Sequence, residues 1–193
     1  MTAIPVHSAN KMNPKKFNLW LFLIGVVMLF TGLTSAYIVR KGDGNWFEFD
    51  LPSIFLYSTL IVVLSSLSML YAYKAVIKDD LVQSRAALFV TMMLGIGFCI
   101  SQYFGWMAMV NEGLHLVTPK DGSKVSASFV YVISFVHLAH ILGGIVFLAI
   151  TLWKSFKHQV HKKNTLLIDM CNTYWHFVGL LWVYLYLFLY FAR

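Results

Sequence analysis

This sequence has little charge, and nearly all of it lies outside its long apolar runs. Asp, Glu, Lys and Arg make up 12% of 193 residues, while hydrophobic residues make up 59%. That is about half the charged share of an ordinary water-soluble domain, so such a domain is excluded. Cysteine is scarce too. Cys99 and Cys171 are the only two, which gives no disulfide framework. Each lies in or beside an apolar run, where a free thiol packs as a small hydrophobe. The phosphate loop GxxxxGK, the zinc helix HExxH and the nucleophile turn G-x-S-x-G are all missing, so no nucleophile has an identifiable base. Within the runs the one acid is Asp169, about a turn from the end of its segment. A proton relay or ion pathway needs buried carboxylates or lysines in series. Their absence argues against a pump or ion transporter in this chain alone.

What is present is length without charge. Stretches of about 20 apolar residues mark membrane spans, and there are five: 17–39, 53–75, 86–110, 126–153 and 165–191. They are continuously apolar, without the alternation of barrel strands, so helices are expected. The predicted fold is an all-α membrane protein, a five-helix bundle forming one domain over residues 17–193 after a polar tail, 1–16. The tail lacks an apolar signal core followed by a small-residue cleavage site, and the first run is expected to stay as a helix.

The net charge of +7 sits in short loops between spans, which is a topology signal rather than a nucleic-acid surface. One side of the membrane holds ten cations: Lys11, Lys15, Lys16, Lys74, Lys78, Arg85, Lys154, Lys157, Lys162 and Lys163. The other holds five, Arg40, Lys41, Lys120, Lys124 and Arg193, together with Asp43, Glu48, Asp50, Glu112 and Asp121. The positive-inside rule therefore predicts a cytoplasmic N-terminus and an external C-terminus.

Small residues suggest where helices approach. Gly97, Ser101 and Gly105 recur every four residues, Gly25 and Gly32 lie two turns apart, and Gly143 and Gly144 thin the fourth span. Trp20, Trp46, Trp153 and the terminal tyrosines fit interfacial anchors. Trp106, Trp175 and Trp182 lie deeper and read as packing groups.

The polar groups inside the spans are neutral: Ser101, Gln102, His137, His140, Asn172 and His176. His137 and His140 share one face of the fourth helix. At about 1.5 Å per residue, His140 lies roughly 18 Å and His176 roughly 16 Å from the cytoplasmic ends of their helices. One reading is axial haem ligation, or a metal site, built from His140 and His176. The other is hydrogen bonding between helices, where bare polar groups are costly.

Four stretches resemble subunit III of cytochrome c oxidase in its short five-helix bacterial form. They are WLFLIGVVMLFTGLTSAYIVR (20–40), FCISQYFGW with Phe98, Gln102 and Trp106, HLAHILGG with His137, His140 and Gly143, and YWHFVGLLW (174–182). They occur in order across nearly the whole chain. The departures are three positions where the family often carries an acid: Val26, Gly105 and Gly179. A proton-antenna role or an acid-gated oxygen route that relies on those carboxylates is not carried over.

The resemblance implies a non-catalytic subunit of a haem–copper oxidase in a bacterial plasma membrane, without catalytic residues or metal ligands of its own. It implies haems and copper in partner subunits, structural phospholipids in an interhelical cleft, and contact with catalytic subunit I and other oxidase subunits. A second respiratory complex is a further partner to consider, with the N-terminal tail and the 112–124 loop as docking surfaces. Gln102, Trp106, His137, His140, Trp175, His176 and Trp182 are then bundle and lipid-cleft residues. Two alternatives stand beside this reading: an accessory protein of a nitric oxide reductase, and a di-histidine haem protein exchanging electrons with quinone.

Overall fold

The computed structural model describes residues 13–42, 46, 49–114, 125–162 and 164–192. It contains five helices: α1 (Pro14–Gly42), α2 (Ile54–Ile77), α3 (Leu81–Asn111), α4 (Val125–Phe156) and α5 (Leu166–Ala192). Each is long and apolar enough to cross a membrane. They extend past most of the apolar spans into the polar flanks, because a helix can continue in water once its ends are capped. α3 shows this best. It begins at Leu81 because the Asp80 side chain accepts a hydrogen bond from the Gln83 backbone N–H, 3.1 Å away.

The helices do not form one even cluster. α2 packs against α3 and α5, α3 against α4, and α4 against α5, which closes a four-helix ring. Among the described residues α1 touches only α4 and α5, so it lies outside the ring along their seam. Below, the near face is the one on which α1, α3 and α5 begin, and the far face is the opposite one.

The ring helices bury a strict repeat. On α2 the buried stripe is Phe55, Ser58, Val62, Ser65, Met69, Ala72 and Val76. On α3 it is Ser84, Leu88, Thr91, Gly95, Phe98, Gln102, Gly105 and Met109. On α4 it is Val130, Ser134, His137, Ile141, Gly144, Leu148, Thr151 and Ser155. On α5 it is Ile168, Cys171, Trp175, Val178, Trp182, Leu185 and Leu189. Steps of three and four alternate without a break in all four. This is the 3.5-residue period of left-handed bundles, in which the seam stays turned to its partners along the full length. α1 buries less, only Leu23, Val26, Phe30, Thr34 and Tyr37.

Both faces are closed by side chains. At the near end Val160, from the α4–α5 connection, is 1% exposed and packs with Met69, Val76, Leu88 and Ile168. The Arg85 Nη2 donates to the Ser155 carbonyl across 2.7 Å, tying α3 to the end of α4. At the far end Tyr37 meets Trp46, Phe129 and Phe188 edge-on, with ring centroids 4.7, 5.8 and 5.3 Å apart. Trp46 is therefore part of a lid over the bundle rather than a free interfacial anchor. Trp20 and Trp153, by contrast, are 51% and 58% exposed near helix ends.

Lys15, Lys16, Lys74, Lys78, Arg85, Lys154, Lys157 and Lys162 lie at the near face, and Arg40 and Lys41 at the far face. Lys11, Lys120, Lys124, Lys163, Arg193, Asp43, Glu48 and Asp121 fall outside the described residues, as do most of the tail and of the 112–124 loop.

Candidate functional site

The polar residues singled out from the sequence converge on α2. Trp175 donates its indole N–H to Ser65 Oγ across 3.1 Å, and Trp182 donates to Thr59 Oγ1 across 3.1 Å. Gln102 Nε2 donates to Ser58 Oγ across 3.0 Å. Each of these hydroxyls donates in turn to its own helix, to the Val62 carbonyl from Ser65 and to the Phe55 carbonyl from Ser58 and Thr59, all at 2.8 Å. A hydroxyl can do both because it has one donor hydrogen and spare lone pairs. Lipid tails offer no partner, so an indole or amide turned inward must find one on another helix. Trp106 follows the same rule on α4, donating to Ser134 Oγ across 2.9 Å.

Trp175 needs space as well as a partner. It is 1% exposed. A methyl carbon added at Gly95 would lie 2.7 Å from its Cη2, and one added at Gly144 would lie 3.0 Å from its Cζ3. Two glycines on two helices therefore make the slot for one indole. Gly97, by contrast, has nothing within 4 Å of its Cβ direction, and neither do Gly25 and Gly32. The four-residue stripe expected on α3 is thus displaced. The packed face runs through Gly95, Phe98, Gln102 and Gly105.

His137 is completely buried. Its ring stacks on Trp182 with centroids 5.1 Å apart and planes 30° from parallel, and it meets Phe30 and Phe98 edge-on. Among the described residues neither of its ring nitrogens finds a hydrogen-bond partner. Its ring is packed among aromatic rings of α1, α3 and α5.

His140 and His176 do not come together. The His140 ring donates from Nδ1 to the Val136 carbonyl at 2.7 Å, and its own carbonyl accepts the Tyr174 hydroxyl at 2.8 Å. Tyr174 thus marks the flank of α5 that meets α4. His176 is two residues further, about 200° round the helix. That turns it toward the edge shared with α2, beside Gly179, where an added Cβ would lie 3.0 Å from Ser66 Oγ. Counting residues along each axis carries no information about rotation. The two rings therefore point from different flanks rather than across one shared gap. Among the described residues no three His, Cys, Asp or Glu side chains gather where they could hold a metal ion.

The remaining acid inside a helix is also accounted for. Asp169 pairs with Lys16 across 2.5 Å, joining the starts of α5 and α1. The three positions that lack a carboxylate lie at three separate interfaces. Val26 is 4% exposed on the buried stripe of α1. Gly105 lies under the Phe55 ring, which comes within 3.1 Å of its Cβ direction. Gly179 faces Ser66. They do not outline a common site.

Between α1 and α5 runs an apolar groove of about 370 Å³ lined by Val27, Phe30, Thr31, Phe177, Leu180, Leu181 and Tyr184. Tyr184 also lines a second hollow of about 470 Å³ with Leu187, Phe188, Phe191 and Ala192. Together they form a track from mid-span to the far end of α5.

Residues the sequence reading passed over prove central: Ser58, Thr59, Ser65 and Gly95. The signal that could have found them is Gln102. An amide in a membrane helix must face inward, and counting from it in steps of three and four reaches Gly95, Phe98 and Gly105.

The family model for "Cytochrome c oxidase subunit III" matches residues 46–193. The chain is 30% identical to the cytochrome c oxidase subunit 3 of Thermostichus vulcanus, covering 98% of this chain and 93% of that protein. It is 26% identical to the subunit 3 of Bacillus sp. (strain PS3), covering 95% and 89%. A probable subunit 3 from Nocardia farcinica is 26% identical, covering 97% and 93%.

Proposed function

The chain belongs to the cytochrome c oxidase subunit III family, and from that membership we propose what its residues do in the oxidase. As subunit III of a haem–copper terminal oxidase it takes part in aerobic respiratory electron transport, as a multi-pass protein of a bacterial plasma membrane. Neither the nitric oxide reductase reading nor the di-histidine haem reading is favoured.

Within that complex the chain is a non-catalytic scaffold. It binds beside catalytic subunit I, which carries the haems and copper, and stabilises it through many turnovers. The near face is cytoplasmic and the far face external, as the positive-inside rule requires. The observation that carries the scaffold reading is that four deep side-chain donors are used within the chain. The Trp175, Trp182, Trp106 and Gln102 donors each reach a hydroxyl of this same chain. A ligand or electron-transfer site would leave such donors directed at a guest. His137, His140 and His176 are packing residues, not ligands.

The α1–α5 track holds phospholipid. Its walls are apolar along the length of an acyl chain, and in a bilayer the available molecule of that shape is a lipid tail. A phospholipid held there presents a fixed surface to the neighbouring subunit.

The test is purification of the oxidase through a tag on this chain. The catalytic subunit, with its haem spectrum, should copurify. Oxidase stripped of this chain should begin at a similar rate and lose activity over fewer turnovers. Isolation of the chain alone, with its own low-spin haem band, would overturn the scaffold role.

A further inference from the structure

The first and last helices of the chain are joined differently from all the others. The ring helices contact their neighbours along unbroken 3.5-residue seams, whereas α1 buries five residues and, among the described residues, packs only against α4 and α5. Its two short polar links to α5 lie at the two ends, with one long contact between them, the Tyr184 hydroxyl donating to Thr34 Oγ1 across 3.5 Å. At the near end Lys16 Nζ lies 2.5 Å from Asp169 Oδ2. At the far end Lys41 Nζ donates to the carbonyl of Ala192 across 2.8 Å. The sequence separation at the far end is 151 residues, so this is tertiary contact, made only after the last helix is in place. Between the two links the helices stand apart far enough to leave the groove of about 370 Å³ between Val27, Phe30 and Phe177.

Charge placement favours both links. Asp169 sits in the first turn of α5, where the helix dipole favours an anion, and Lys41 reaches the last turn, where it favours a cation. Each link joins one helix to the end of the other, so together they also fix the axial register of α1 against α5.

We infer that α1 is a strap: fastened to α5 at its two ends, able to lift in its middle, and separable from the ring without unfolding it. The ring closes through α2, α3, α4 and α5 alone, and α1 reaches its α4 seam where Phe30 packs edge-on against His137. Lifting gives up one long polar contact at mid-span, the Tyr184 hydroxyl 3.5 Å from Thr34 Oγ1, while Thr31 and Thr34 keep their own donations to carbonyls of α1, at 2.8 and 3.0 Å. The inference does not depend on what occupies the groove.

The experiment measures thiol labelling in the assembled oxidase, read peptide by peptide with mass spectrometry so that Cys99 and Cys171 are resolved from the probe positions. The buried probe is Val26→Cys, at a site 4% exposed under α1, and the control is Met28→Cys, at a site 70% exposed. A lipid-soluble maleimide should label Val26→Cys more slowly than Met28→Cys. Lys16→Gln should raise the Val26→Cys rate roughly two- to fivefold, the range open to a partly exposed ion pair. The Met28→Cys rate should stay unchanged. Asp169→Asn should do the same, and the double variant should do no more than either alone, because both remove one link. Lys41→Met should add to either. Retention of the chain in the haem-containing complex reports that each variant is folded. The strap is overturned if retained Lys16→Gln and Asp169→Asn variants leave the Val26→Cys rate unchanged, or if Val26→Cys already reacts as fast as the control.

Discussion

His137 lies against Trp182 as a stacked plate, with centroids 5.1 Å apart, and no hydrogen bond is recorded to either of its nitrogens among the described residues. A histidine in this position is used for its shape. His137→Phe should therefore assemble and turn over like the parent. His137→Ala should cost about 2–5 kcal/mol of stability through the cavity it leaves. Thermal denaturation of the purified oxidase, followed by loss of this chain, separates the two. A Phe variant as damaged as the Ala variant would show that the imidazole nitrogens matter.

Gly95 and Gly97 are two residues apart and should behave oppositely. An alanine methyl at Gly95 meets Trp175 at 2.7 Å, while one at Gly97 meets nothing within 4 Å. Gly95→Ala should destabilise the chain by about 1–3 kcal/mol, the usual cost of overpacking, and Gly97→Ala should be silent. The same melting measurement checks both. Equal effects would place the α3 seam elsewhere.

His140→Ala and His176→Ala should leave the absorption spectrum of the oxidase haems unchanged, since the His140 ring donates to the Val136 carbonyl of its own helix and His176 points from another flank. His176→Ala should still loosen the α2–α5 edge and lower the yield of intact complex. Altered haem bands in a fully assembled variant would contradict the packing role.

The groove makes a prediction about lipid. Leu180→Trp places an indole in the space between α1 and α5, where Leu180 is 72% exposed and lines the cavity. The variant oxidase should retain less phospholipid after mild delipidation, with no change in haem content. Native mass spectrometry reads the bound lipid directly. Undiminished lipid would remove the groove as its site.

The seams of this bundle were only half legible in the sequence, for a physical reason. Hydropathy marks the inside of a soluble helix, but here lipid-facing and ring-facing residues are equally apolar. The period must instead be read from small and polar residues: Ser58 and Ser65 on α2, Gly95, Gln102 and Gly105 on α3, and Ser134, His137 and Gly144 on α4. Gly97 and Ser101 share that chemistry and lie off the seam, which is how a four-residue stripe came to be expected there. Trp175 was identified as a deep packing group. That it needs a glycine on each of two other helices is a property of three segments at once.

By itself the sequence determined that five helices cross the membrane, about where each begins, and which residues must avoid lipid. Those follow from local quantities: apolar length against bilayer thickness, and the cost of a bare polar group in hydrocarbon. Only the tertiary structure decided that four helices form a ring with α1 outside it. The same holds for His140 meeting α5 at Tyr174 while His176 points from another flank, and for Lys16 meeting Asp169. Helix rotation and neighbour order depend on how side chains from separate helices fit together, and no single segment contains that fit.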